Sequence, residues 1–105
     1  MPTPMNDKSE ILEQLLEPLL DDFLYWFERS QTLIESAHIP FLTPVERADL
    51  LERLRSAQAE VKTAKLLFTL SGKRVGVDVQ AMKPWHALLM ECQAIGMRYR
   101  QQQSC

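Results

Sequence analysis

An all-α fold, an up-down-up antiparallel three-helix bundle, is predicted by three features of the 105-residue chain. It has only three glycines and is rich in Leu, Ala, Glu, Gln and Arg, which favour helix. Its apolar residues recur four and three positions apart in three segments, without sustained alternation of period two. The connections between these segments are short, and helices joined by short loops pack most simply as antiparallel neighbours. A chain of this length supports one modest core, so residues 1–105 are read as a single domain.

Residues 1–6, with Pro2 and Pro4, are expected to form a disordered leader, and Asn6 or Asp7 to cap a first helix over about 7–37. Its inward positions read Leu12, Leu16, Leu19, Phe23, Trp26, Ser30, Leu33 and Ala37. Pro18 interrupts this seam and removes one backbone donor, so a kink near Glu17 is expected in a nearly continuous helix. The run from Phe23 to Phe27 holds four of the eight aromatic residues and subtends more than one turn, so one face cannot bury them all. With Phe23 and Trp26 on the seam and Phe27 at its edge, Leu24 and Tyr25 are expected to point outward.

His38-Ile39-Pro40-Phe41-Leu42 reads as a connection. Thr43-Pro44-Val45-Glu46 then supplies an N-cap threonine, a proline at the first helical position and a glutamate at the third, which opens a helix over about 44–70. Its seam is Leu50, Leu54, Ala57, Val61, Ala64 and Phe68. Ser71 to Asp78 reads as a loop, with glycines at 72 and 76. Gly72-Lys73-Arg74 lacks both the upstream glycine and the hydroxyl of a phosphate-binding loop. After Asp78 a turn of helix can precede Pro84, which fits the first turn of a third helix over about 84–102 with seam Trp85, Leu88, Cys92, Ile95 and Tyr99. Gly96, beside that seam, is expected to permit close packing.

No catalytic constellation is found, and the chain is read as a non-enzyme. Asp21 and Asp22 are adjacent, and neighbours on a helix diverge by about 100 degrees, too far to share one proton-transfer site. Glu35 and His38 form one Glu-x-x-His pair, whereas a two-metal helical bundle needs two such pairs and two further glutamates, so no metal is assigned. His38 reads instead as a residue capping the end of helix one. Cys92 lies on a core seam, and Cys105 has no neighbouring base to lower its pKa. Trp85-His86 could stack on and ligate a planar tetrapyrrole, although periodicity puts Trp85 in the core and His86 one step off it.

Charge divides the chain. Through Glu52 eleven acids face three bases, a balance of −8, and from Arg53 onward nine bases face three acids, a balance of +6. Attraction between helices is the simplest use of this asymmetry. The pI near 5.6 and the scattered basic residues argue against nucleic acid. The acidic polar face of helix one argues against an anionic membrane surface. No secretory signal and no uncharged run of about 18 residues is present, so a cytoplasmic protein without a transmembrane segment is expected. Leu24, Tyr25, Leu66, Leu70, Met90 and Met97 fall on outward positions, and several outward apolar residues in so small a chain favour a protein-interaction surface. The same residues would also serve a homodimer.

Glu17-Pro18-Leu19-Leu20-Asp21-Asp22-Phe23, Tyr25-Trp26-Phe27, Ala48-Asp49-Leu50-Leu51, Val75-Gly76-Val77-Asp78, Pro84-Trp85-His86 and Met97-Arg98-Tyr99-Arg100 together resemble a small cyanobacterial family catalogued as domain of unknown function 2605. The likeness covers nearly the whole chain after Ser9. It implies an accessory role in photosynthesis, in the cytoplasm and at the periphery of the thylakoid membrane, and it supplies no catalytic or cofactor residues. The expectation that follows is an adaptor docking on photosystem II or the phycobilisome core through Asp21, Asp22, Leu24, Tyr25, Lys73 and Arg74, with no cofactor. The alternative is a protein that binds chlorophyll or bilin against Trp85, His86 and Trp26.

Overall fold

A computed structural model describes the backbone of residues 4–72 and 79–103 and the side chains of 15–72 and 80–103. Three helices, α1 (Pro4–Ser36), α2 (Pro44–Leu70) and α3 (Val79–Gln103), make up nearly all of it. α1 begins at Pro4, inside the expected leader, because proline loses nothing at a first helical position where the N–H has no partner. The remainder of that leader, residues 1–3, lies outside the described residues. α1 continues through Pro18 as one helix, and Pro18 is exposed on its surface.

α2 opens as expected. The Thr43 hydroxyl accepts from the Glu46 N–H at 3.1 Å, and the Thr43 N–H donates to Glu46 Oε1 at 3.0 Å, with Pro44 beside the cap. The helix ends at Ser71 and Gly72, whose N–H groups return to Leu67 and Thr69, and Gly72 has a φ of 69° that favours glycine at this position. α3 starts at Val79, five residues before Pro84, and the added turn buries Met82 one turn below Trp85.

Inter-helix contacts set the directions. From the C-terminal to the N-terminal part of α1, Arg47 meets the Ile34 carbonyl, Gln58 the Gln31 side chain and Lys65 the Asp21 carboxylate, so α2 runs antiparallel to α1. Phe23 packs on Trp85 and Leu33 lies beside Gly96, so α3 runs parallel to α1. Trp85 Nε1–H donates to Glu60 and Arg53 donates twice to Glu91, which ties α3 antiparallel to α2. The all-α up-down-up bundle follows from these pairs.

The core consists of Leu16, Leu20, Phe23, Phe27 and Ile34 of α1, Leu50, Leu54, Ala57, Val61 and Phe68 of α2, and Met82, Trp85, Leu88 and Cys92 of α3, closed below the first connection by Ile39. The seams of α2 and α3 match expectation. That of α1 is rotated by about one position, which corrects the expected seam: Leu20, Phe27 and Ile34 are fully buried, Leu19 and Leu33 are half-buried and Trp26 is 42% exposed, while the side chain of Leu12 lies outside the described residues. Leu24 is also corrected, since it is half-buried against the core instead of pointing outward. The end of α1 is capped by Arg47, whose Nε and Nη2 donate to the carbonyls of Ile34 and Glu35 at 2.9 Å each, in the place expected for His38.

Candidate functional site

Rotation of the α1 seam turns Tyr25, Trp26 and Arg29 together onto the surface, because positions three and four apart share a helix face. The Tyr25 and Trp26 rings meet edge to face at 82° with centroids 5.0 Å apart. Arg29 Nη1 donates to the Tyr25 hydroxyl at 3.0 Å, and its Cζ lies 5.7 Å from the Tyr25 ring centroid and 5.8 Å from that of Trp26. Both distances fall within the range of cation–π attraction. The guanidinium is thus held on two rings, and both rings remain about half exposed.

Trp26 and Arg29 also form one wall of a groove of about 440 Å³ between α1 and α3. Its opposite wall is Met97, Tyr99 and Arg100, and its floor includes Leu33, Cys92 and Gly96. An alanine methyl at Gly96 would meet the Arg100 guanidinium at 3.7 Å and Leu33 at 3.8 Å, both ordinary contacts. The expectation that glycine is what permits close packing here is therefore corrected: the space beside Gly96 accepts a methyl group. Burial raises the Cys92 thiol pKa to about 11, against a weaker lowering effect of its hydrogen bond with Ser30, so it is a protonated apolar filler at neutral pH.

The residues expected to bind a partner are placed as follows. Asp21 and Asp22 are exposed on α1, and Asp21 is paired with Lys65. That pair raises the Lys65 pKa, chiefly through the hydrogen bond that Lys65 donates to Asp21. Tyr25 belongs to the cluster just described, and Leu24 packs inward. Lys73 and Arg74 lie outside the described residues. Of the pigment set, Trp85 is buried, edge-on to Phe23 with centroids 5.7 Å apart and bonded to Glu60 at 3.1 Å. His86 is exposed, and Trp26 lines the α1–α3 groove.

Leu66, Leu70, Met90 and Met97 are exposed as expected, and Leu15, Val45 and Leu67 join them. Arg29 and Arg100 were not expected at the site. The signal for Arg29 was in the chain, since it follows Tyr25 by four residues and Trp26 by three. Arg100 comes from a different helix, so no local spacing could link it to Trp26.

Among the described residues there is no group of three or more potential metal ligands, and no helix is long and apolar enough to cross a membrane. The arrangement offers aromatic surface, a positioned cation and an apolar trough, which suit protein docking. No curated protein and no solved structure matches the chain. A family model described as a protein of unknown function, DUF2605, matches residues 6–101, nearly the full length, and the chain belongs to that family.

Proposed function

We propose that the protein is a non-enzymatic adaptor that docks on a larger photosynthetic complex, photosystem II or the phycobilisome core, through the surface built on Tyr25, Trp26 and Arg29. The observation that carries docking is the cluster itself. Trp, Tyr and Arg are the residue types that dominate binding energy at protein interfaces, and here all three are exposed and held against one another. Holding them in the free protein reduces the ordering cost of association. The photosynthetic partner rests on the family resemblance, and a peripheral place at the thylakoid follows from it. Met97 extends the apolar area onto α3.

Co-sedimentation with purified phycobilisomes and with purified photosystem II cores tests the reading. Retention by one of them is expected, with Tyr25→Ala and Trp26→Ala each lowering affinity by about tenfold or more. Retention by neither complex, or equal retention of both variants and the parent, overturns it.

A further inference from the structure

The groove between α1 and α3 differs from the hollow on the other side of Arg29. That hollow, lined by Tyr25, Glu28 and Thr32 among others, contains a carboxylate. The α1–α3 groove has two arginines, Arg29 and Arg100, and no Asp or Glu in its lining. The rest of its surface is neutral or apolar, with Trp26, Leu33 and Met97 around the glycine at 96.

Arg29 is prepared for a ligand. A guanidinium carries five N–H donors in a planar fork. One nitrogen of Arg29 is engaged by the Tyr25 hydroxyl, and both rings lie within cation–π range of its Cζ, which leaves its charge available. No carboxylate among the described residues pairs with it, whereas Arg53 is taken up by Asp49 and Glu91. An arginine oriented by aromatic contacts beside an apolar trough is the arrangement that receives a carboxylate with two parallel hydrogen bonds.

We infer that the α1–α3 groove binds an acidic, apolar peptide segment of a partner protein, one carboxylate on the Arg29 fork and an apolar side chain between Trp26 and Met97. This deepens the adaptor reading and rests on it for the existence of a protein partner. Charge complementarity selects the occupant, since a basic segment would meet the Arg29 cation and a wholly apolar one would leave the oriented fork unused. A second folded copy fits less well. One acidic and apolar stretch of this chain, Leu19 to Phe23, has Leu20 and Phe23 buried and Asp21 paired with Lys65.

Panning a random peptide phage library on the full-length protein tests the inference without knowledge of the partner. Selected peptides are expected to combine Asp or Glu with Leu, Phe or Trp. Synthetic copies are expected to shift Trp26 fluorescence, to bind less tightly as salt rises, and to lose tenfold or more in affinity to Arg29→Glu. Met97→Ala, at an exposed position, is expected to weaken the same peptides, and circular dichroism of both variants verifies folding. Enrichment of basic peptides, absence of any enrichment, or equal binding by Arg29→Glu overturns the inference. A concentration-dependent dimer in sedimentation that Arg29→Glu abolishes also overturns it, in favour of self-association.

The two readings fail separately. Complexes that lose Tyr25→Ala and Trp26→Ala but retain Arg29→Glu as well as the parent refute the groove and leave docking through the two aromatic residues intact. Acidic peptides that bind the groove while neither complex binds refute the photosynthetic partner alone.

Discussion

Phe27 and Trp26 are adjacent, and only one of them holds the bundle together. Phe27 is fully buried and stacks on Phe23 with centroids 5.8 Å apart, while Trp26 keeps 42% of its surface in water. Phe27→Ala is expected to cost about 3–5 kcal/mol in urea unfolding, and Trp26→Ala less than about 1 kcal/mol. The reverse order would restore the seam that the sequence suggested. That ambiguity has a physical cause. In α1, Leu16, Leu19, Leu20, Phe23, Trp26 and Phe27 support two stripes, one through 16, 19, 23 and 26 and one through 16, 20, 23 and 27, both spaced by fours and threes. Periodicity cannot choose between them, and the partners of each face do. Gly96 carries a second prediction at this scale. An alanine methyl there makes only ordinary contacts, and the helix gains propensity, so Gly96→Ala is expected to raise stability by about 0.5–1 kcal/mol in the same assay.

Among the elements, α2 was the most legible because its boundary signals are local and its apolar stripe is mostly single. Thr43, Pro44 and Glu46 act within one turn, and their reciprocal bonds form as their spacing requires. Thr43→Ala removes the side-chain half of the box and is expected to cost about 1 kcal/mol, read as a lower thermal midpoint. Glu46→Gln keeps both bonds feasible and is expected to cost less, since glutamine also completes a capping box. The ends that the sequence leaves open depend on something other than local chemistry. α3 tolerates Pro84 beyond its first turn while gaining the burial of Met82, and the carbonyls closing α1 are met by Arg47 from the next helix. Neither partner is visible from spacing along one element. The candidate site shares this property: Tyr25, Trp26 and Arg29 lie within one turn, but the groove exists only once α3 brings Met97 and Arg100 alongside.

The whole molecule should be most stable on a plateau bounded by two groups of titrations, whose directions follow from its contacts. On the acid side, the Thr43 N–H hydrogen bond, followed by the Thr43 side chain, holds the Glu46 carboxyl below its ordinary 4.5. The Arg53 hydrogen bond, aided by its charge and opposed by desolvation, does the same for Glu91. An unfolded chain binds protons at these carboxylates before the folded one does, so stability is fully present above about pH 4.5 and is lost as pH falls through the lowered values. The Arg53–Glu91 pair is nearly half exposed, which limits it to about 0.2–1 kcal/mol and makes it weaken with salt. On the alkaline side the unfolded Cys92 thiol ionises near 9.0, whereas burial keeps the folded one protonated up to about 11, so stability declines between these values. Lys65, raised by Asp21, loses its contribution as pH climbs beyond 10.5 through its folded value, the same direction of change. Urea midpoints measured across this range are therefore expected to be flat from about 4.5 to about 9 and to fall on both sides. Glu91→Gln should flatten the acid limb and Cys92→Ala the alkaline one, each leaving the opposite limb in place. An acid limb unchanged in both Glu46→Gln and Glu91→Gln would show that these carboxylates do not report on folding.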